Sequence, residues 1–306
     1  MAKITMDMIK ELRERTAAGV VDCKKVLSDT DGDLEKAVDE LQKRGIAKAA
    51  KKQGRIAAEG KVGLFAPAGS KIAAVAELNC ETDFVSKGEK FEALCGSIAE
   101  QAVSMKTDSL DDILGAKYIK DESITVEQAV TNFTAATGEK TNLRRVACYE
   151  TSTGVIGSYN HDGGRICVLI DIASGDEQLA NDTEFTEMAN DIAMHIAAMN
   201  PSYVSSDEIP AEDIARQKEI FTAQVIEEGK PEKIAPKIVE GKMAKWKKEN
   251  CLVDQIFVKD SDLTITALLA KYGSDVAITR FARFEVGEGM VKRTNDLAAE
   301  VAEMTS

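Results

Sequence analysis

Several spacings in this chain invite a chemical reading, and each fails at a named residue. Asp29-Thr30-Asp31-Gly32-Asp33 resembles a calcium loop, in which alternate oxygens wrap a cation around a required glycine. Setting Gly32 at the sixth position of such a loop puts Leu27 first and Val38 twelfth, where oxygen ligands are needed. Gly287-Glu288-Gly289 begins a dinucleotide fingerprint, but Lys292 stands where the third glycine belongs. No G-x-x-x-x-G-K-[ST] loop occurs to cradle phosphates, and no G-x-S-x-G elbow presents a nucleophile. The histidines are His161 and His195, with no partner at zinc-ligand spacing. Catalytic groups assemble in space as well as in sequence, so an enzyme using a core cleft stays open as an alternative.

What remains is a short run, Thr82-Asp83-Phe84-Val85, that follows an apolar strand pattern and precedes a helical one. Thr82 is placed to cap that helix, and Asp83 then sits in the first turn, where negative charge suits the helix dipole. Phe84 is seven residues before Phe91, so both could share one buried face. Spacing alone leaves Phe84 open between core and an exposed contact.

The elements that must position this run read in order. Residues 1–45 give three short helices: Thr5 and Asp33 are cap candidates, Leu12, Val26 and Leu41 fall on inward stripes, and Gly45 ends the third helix. Residues 46–59 form a basic connector, read as a solvated linker or an exposed helix extension. Two strand-strand-helix patterns follow. The first has a turn at Pro67-Ala68-Gly69-Ser70 and a helix marked by Phe91, Leu94 and Ile98. The second has a turn at His161-Asp162-Gly163-Gly164 and a helix marked by Phe185, Met188 and Ile192. The fold class is therefore α+β, with two related core halves spanning 60–140 and 141–274. Charged residues 206–249, with thin apolar stripes either side of Gly229-Lys230-Pro231, predict an antiparallel helical hairpin inserted in the second half. Pro236 makes its second helix start late or kink. Residues 275–306 contribute a strand from Val276 and a last helix at 296–304, with Leu297 and Val301 inward.

Composition narrows the function classes. The net charge of -13 opposes phosphate backbones, so general nucleic-acid binding is not expected. The six cysteines form no C-x-x-C pair and several sit in apolar company, as small buried hydrophobes of a reducing compartment do. No apolar run reaches the ~18 residues of a membrane span. A cytoplasmic protein is expected, with no cofactor and no metal.

Ordered blocks then give a resemblance. Glu11-Leu12-Arg13-Glu14-Arg15-Thr16 with Asp22-Cys23-Lys24-Lys25, and Gly45-Ile46-Ala47-Lys48-Ala49-Ala50-Lys51-Lys52, are similar to N-terminal signatures of the elongation factor Ts family. Asn79-Cys80-Glu81-Thr82-Asp83-Phe84-Val85 resembles the family's core signature. Gly157-Ser158-Tyr159-Asn160-His161, Ala193-Met194-His195 and Arg283-Phe284-Glu285-Val286-Gly287-Glu288-Gly289 resemble later blocks. Any one block is weak; in order along the chain they are specific.

The resemblance implies a ubiquitin-associated-like three-helix domain, two related core subdomains, the inserted hairpin and a C-terminal helical module. It implies binding to elongation factor Tu and promotion of GDP release there, with no nucleotide bound by this chain; whether the hairpin supports self-association is open. It also makes the loop Thr82-Asp83-Phe84-Val85 a partner-binding edge, with Phe84 an exposed wedge steered by Asp83, and turns Arg13, Val20, Val21, Lys24 and His161 toward the partner. Without it, Arg13 and Lys24 read as a solvated face, Val20 and Val21 as packing, His161 as an ordinary turn residue and His195 as buried. Val20-Val21 stands where the family commonly has two methionines, and Pro236 is unusual in its hairpin. An adaptor built on the small helical domain, without exchange activity, is the remaining alternative.

Overall fold

The computed structural model describes residues 4–291 except Ala17, Lys51, Gln53 and Glu232; the expected helix at 296–304 lies outside the described residues. The chain opens with α1 (Met6–Thr16), α2 (Val20–Asp29) and α3 (Leu34–Ala50). Thr5 Oγ1 accepts a hydrogen bond from Met8 N at 3.3 Å, and Asp33 Oδ1 accepts one from Lys36 N at 3.1 Å, as caps should. Ile9, Leu12, Cys23, Val26, Leu27 and Ala37 form the small core between these helices. Gly45 does not end α3, contrary to expectation. A Cβ there would lie 3.3 Å from Ala135 Cβ, so Gly45 serves as a thin point where α3 crosses a later helix, and α3 runs on into the expected linker.

The first α+β half begins with β1 (Glu59–Phe65) and β2 (Ile72–Cys80), an antiparallel hairpin. It continues with the single turn α4 (Asp83–Ser86), α5 (Glu89–Met105), α6 (Leu110–Gly115), a small hairpin of β3 (Lys117–Tyr118) and β4 (Asp121–Thr125), and α7 (Val126–Thr137). Strand β5 (Asn142–Glu150) then returns to pair with β2 and completes a sheet of order β1-β2-β5. Leu78, Phe91, Ile98, Ile113, Val126 and Leu143 anchor the core between this sheet and its helices.

The second half repeats the plan. Strands β6 (Val155–His161) and β7 (Ile166–Ala173) form a hairpin covered by α8 (Thr183–Met199). The helical hairpin α9 (Ala211–Glu227) and α10 (Ala235–Asn250) follows, held by buried Val225 and Val239. Pro236 falls in the first turn of α10, where a missing N–H breaks no helical bond, so the helix starts late and is not interrupted. After α11 (Ile265–Leu269), strand β8 (Ala277–Glu285) pairs with β7 to complete a sheet of order β6-β7-β8. Thus β5 belongs with the first sheet and β8 with the second. Sequence order alone groups β5 with the second half and β8 with a separate C-terminal module, because long helical excursions part each third strand from its hairpin.

The two halves match position for position. Gly60 and Gly154 both have positive φ, 152° and 112°, and a Cβ would come within 2.2 Å of Leu78 O and 2.0 Å of Ile172 O. Gly63 and Gly157 let α5 and α8 press on their sheets, and Phe91 and Phe185 fill the same place in each core. Every pair is separated by the same stretch of chain. The sheets then stack face to face through Val62, Val75, Tyr149, Cys167 and Leu169. Each third strand lends an arginine to the other: Arg145 of β5 lies 4.2 Å from the ring of Phe284, and Arg280 of β8 lies 4.1 Å from that of Tyr149. No helix among the described residues is long and apolar enough to cross a membrane.

Candidate functional site

Phe84 is 87% exposed while Phe91 is fully buried. The helical spacing that put them on one face does not hold, because Gly88 at φ -75°, ψ 138° separates α4 from α5. In the single turn of α4 only Val85 packs toward the first core and only Ser86 is buried.

The turn is held from below. Thr82 occupies the cap position, but its hydroxyl does not cap. It donates to Glu139 Oε1 at 2.8 Å, and Thr82 N donates to Glu139 Oε2 at 3.0 Å. A carboxylate is the stronger acceptor, and Glu139 delivers one from the loop after α7. Next door, Glu81 Oε1 accepts from Lys140 N at 2.6 Å and pairs with Arg55 at 3.2 Å. Cys80 Sγ donates to Thr82 O at 3.1 Å, and burial pushes this thiol up to about 12, so it stays protonated. The loop therefore presents Phe84 from a base braced by two consecutive residues on each side. Asp83 pairs with Lys87 at 2.6 Å, and the lysine's hydrogen bond and charge hold the carboxyl below its usual value.

Two concave surfaces flank the turn. On one side Asp83, Lys87, Lys61, Asp162 and Arg165 line a cleft, so the structure brings the loop beside the tip of the second hairpin. The tip turns through Asp162 and Gly163, both at positive φ, and His161 is exposed at the end of β6, its Nδ1 3.2 Å from Tyr159 Oη. On the other side Phe84, Val85, Phe91 and Phe133 share a groove with Arg15 and Thr16 at the end of α1. Of the remaining candidates, Val20 is 44% and Val21 79% exposed, and Arg13 and Lys24 are exposed. These four stand on the small domain and do not line the groove with Phe84.

His195 is buried as expected. Nδ1 accepts from Val258 N at 3.2 Å, which places the ring proton on Nε2, 2.9 Å from Gln255 Oε1. Burial lowers its pKa, partly offset by the Gln255 bond, and the neutral ring is structural. Sequence reasoning missed Glu139, which follows a turn glycine and belongs to no periodic pattern. Among the described residues no group of His, Cys, Asp and Glu could hold a metal ion.

The structure thus sets an exposed aromatic, Phe84, on a braced turn between two concave surfaces. A family model described as Elongation factor TS matches residues 81–288. The chain is 44% identical over 302 residues to an Elongation factor Ts of Clostridium botulinum, with 97% of each chain covered. It is 45% identical over 302 residues to that of Clostridium novyi, again covering 97% of each. The chain belongs to the elongation factor Ts family, and is an elongation factor of protein biosynthesis.

Proposed function

We propose that this chain binds elongation factor Tu and accelerates its release of GDP. The observation that carries the reading is Phe84, 87% exposed on a turn whose base is fixed by Glu139. A large aromatic held in water by a rigid base is ready to be buried by a partner at little ordering cost. Phe84 inserts near the partner's magnesium and phosphate site. Asp83 steers the turn, and the second hairpin at His161 supplies a further contact. Arg13, Val20, Val21 and Lys24 add a separate contact from the small domain, where two exposed valines offer apolar area.

Exchange needs no covalent step, so the protein works by binding and is not an enzyme. Each tenfold loss of nucleotide affinity requires ~1.4 kcal/mol of coupling, drawn from surfaces that fit the altered partner better than the nucleotide-bound one. Linkage makes the effect reciprocal: nucleotide weakens the factor as much as the factor weakens nucleotide. The test is release of labelled GDP from elongation factor Tu with this chain added; release no faster than the partner's own rate rejects the reading.

A further inference from the structure

One buried carboxylate ties the two edges of the site together. Glu77 of β2 is fully buried. Its Oε1 accepts from Gly287 N at 2.9 Å, from Asn79 Nδ2 at 3.1 Å and from Arg144 Nη1 at 3.1 Å, and its Oε2 accepts from Arg145 Nε at 2.5 Å. The same arginines reach on. Arg144 Nη2 donates to Glu288 O at 2.5 Å, and Arg145 Nη2 donates to Glu285 O at 3.1 Å. The turn after β8 is thereby clamped to the first sheet. Its conformation is specific to glycine: Gly287 has φ 69°, and a Cβ would lie 2.3 Å from Ala58 O.

The chain leads from this carboxylate to both edges. Three residues beyond Glu77, β2 ends at Cys80, just before the braced turn that carries Asp83 and Phe84. On the other side, Val286 N donates to Arg165 O at 3.0 Å, so the clamped turn grips the base of the second hairpin's tip. Val286, Asp83, Asp162 and Gly163 line one cleft.

The internal repeat supplies the comparison. Asp171 of β7 matches Glu77, since each faces the matching arginine of its third strand and each precedes a register shift in its ladder. Asp171 meets Arg280 at 3.2 Å and leaves Oδ1 without a partner. Closing a sheet stack thus needs no more than the Asp171 arrangement, yet the copy in the strand that leads to the Phe84 turn is elaborated. Burial alone would raise the Glu77 carboxyl, but the bonds from Gly287, Arg145 and Asn79, with the charge of Arg145, outweigh it and leave it below its usual value.

We propose that Glu77 is a positioning residue for exchange: through Gly287 and the paired arginines it fixes the spacing between the Asp83–Phe84 turn and the tip of the second hairpin. This rests on the exchange reading above. With the spacing fixed, contact at the tip drives Phe84 into the partner; with it loose, both edges still bind but the wedge yields.

The test is a cycle of Glu77→Gln, Phe84→Ala and the double variant in labelled-GDP release from elongation factor Tu, with the factor titrated to saturation. Glu77→Gln lowers the saturating rate roughly tenfold, the loss expected of one hydrogen bond between charged groups, while half-saturation shifts far less. Added to Phe84→Ala it lowers the rate no further, because the wedge it positions is gone. An unchanged saturating rate, or the same fold loss with and without Phe84, overturns the inference and leaves the exchange reading intact. An unchanged rate for Phe84→Ala alone overturns both. If circular dichroism shows Glu77→Gln unfolded, Arg144→Gln, which removes a partly buried partner of the same carboxylate, takes its place with the same outcomes.

Discussion

Replacing Phe84 with alanine separates a working aromatic from a structural one, because Phe91 gives a built-in comparison. Phe84 is 87% exposed in the free chain, so its removal takes almost nothing from the fold, and the melting temperature stays close to that of the parent. Phe91 is fully buried and meets Phe133 edge-on with ring centroids 5.6 Å apart, so its removal costs about 3–5 kcal/mol of stability. On the functional side the order reverses. Nearly the whole Phe84 side chain is available for burial, and burying a phenylalanine is worth about 1.5–3 kcal/mol, or roughly a 10- to 150-fold loss of exchange rate when it is removed. Phe91→Ala, assayed well below its lowered melting temperature, keeps most of its exchange rate. The assay is labelled-GDP release from elongation factor Tu beside thermal unfolding. A Phe84→Ala chain that melts early, or that releases GDP at the parent rate, refutes the reasoning.

Other consequences follow from the same contacts. Glu139→Ala removes the acceptor for both Thr82 N and Thr82 Oγ1, lowering stability by about 1–3 kcal/mol by denaturant titration and slowing exchange, whereas Glu139→Gln keeps one acceptor oxygen and loses less. Replacing Val20 and Val21 together by serine weakens complex formation by roughly tenfold, read by calorimetry, and leaves the saturating exchange rate unchanged, because these side chains add contact area away from the wedge. His195 gives a pH dependence of known sign. Its pKa in the folded chain lies below the ordinary 6.5, so the unfolded chain takes up the proton first as pH falls. The stability it supports is complete above the unfolded value and drains away below it, by at most about 1.4 kcal/mol per pH unit until the folded value is passed. His195→Asn removes that component of the slope, measured as melting temperature against pH; an unaltered slope contradicts the assignment.

Much of this architecture is legible in the residues. The stripes of Leu12, Val26, Phe91 and Ile192 announce helices, and the turns at Gly69 and Gly163 announce hairpins, because both signals are local. Three features are not local. The partners of β5 and β8 lie across long helical excursions, so pairing them with β2 and β7 needs the folded sheet. Gly45 looks like a helix stop in sequence and is a crossing point in space, since only α7 beside it gives the missing side chain a purpose. Thr82 has the right type and place for a cap, but a carboxylate more than fifty residues later takes its hydroxyl. The site divides in the same way. Asp83 and Phe84 could be singled out from the sequence, although their spacing left Phe84 undecided. Glu139 and Glu77, which brace the turn and tie it to the second hairpin, carry no motif of their own; their partners come from distant strands and loops.

The central claim is that this chain and GDP compete through the conformation of one partner. Its most direct test measures both sides of that linkage: labelled-GDP affinity of elongation factor Tu with and without saturating chain, and the chain's affinity for elongation factor Tu with and without saturating GDP. The account predicts faster GDP release and two affinity ratios that weaken by the same factor. GDP release and affinity that do not change when the chain is bound would contradict it.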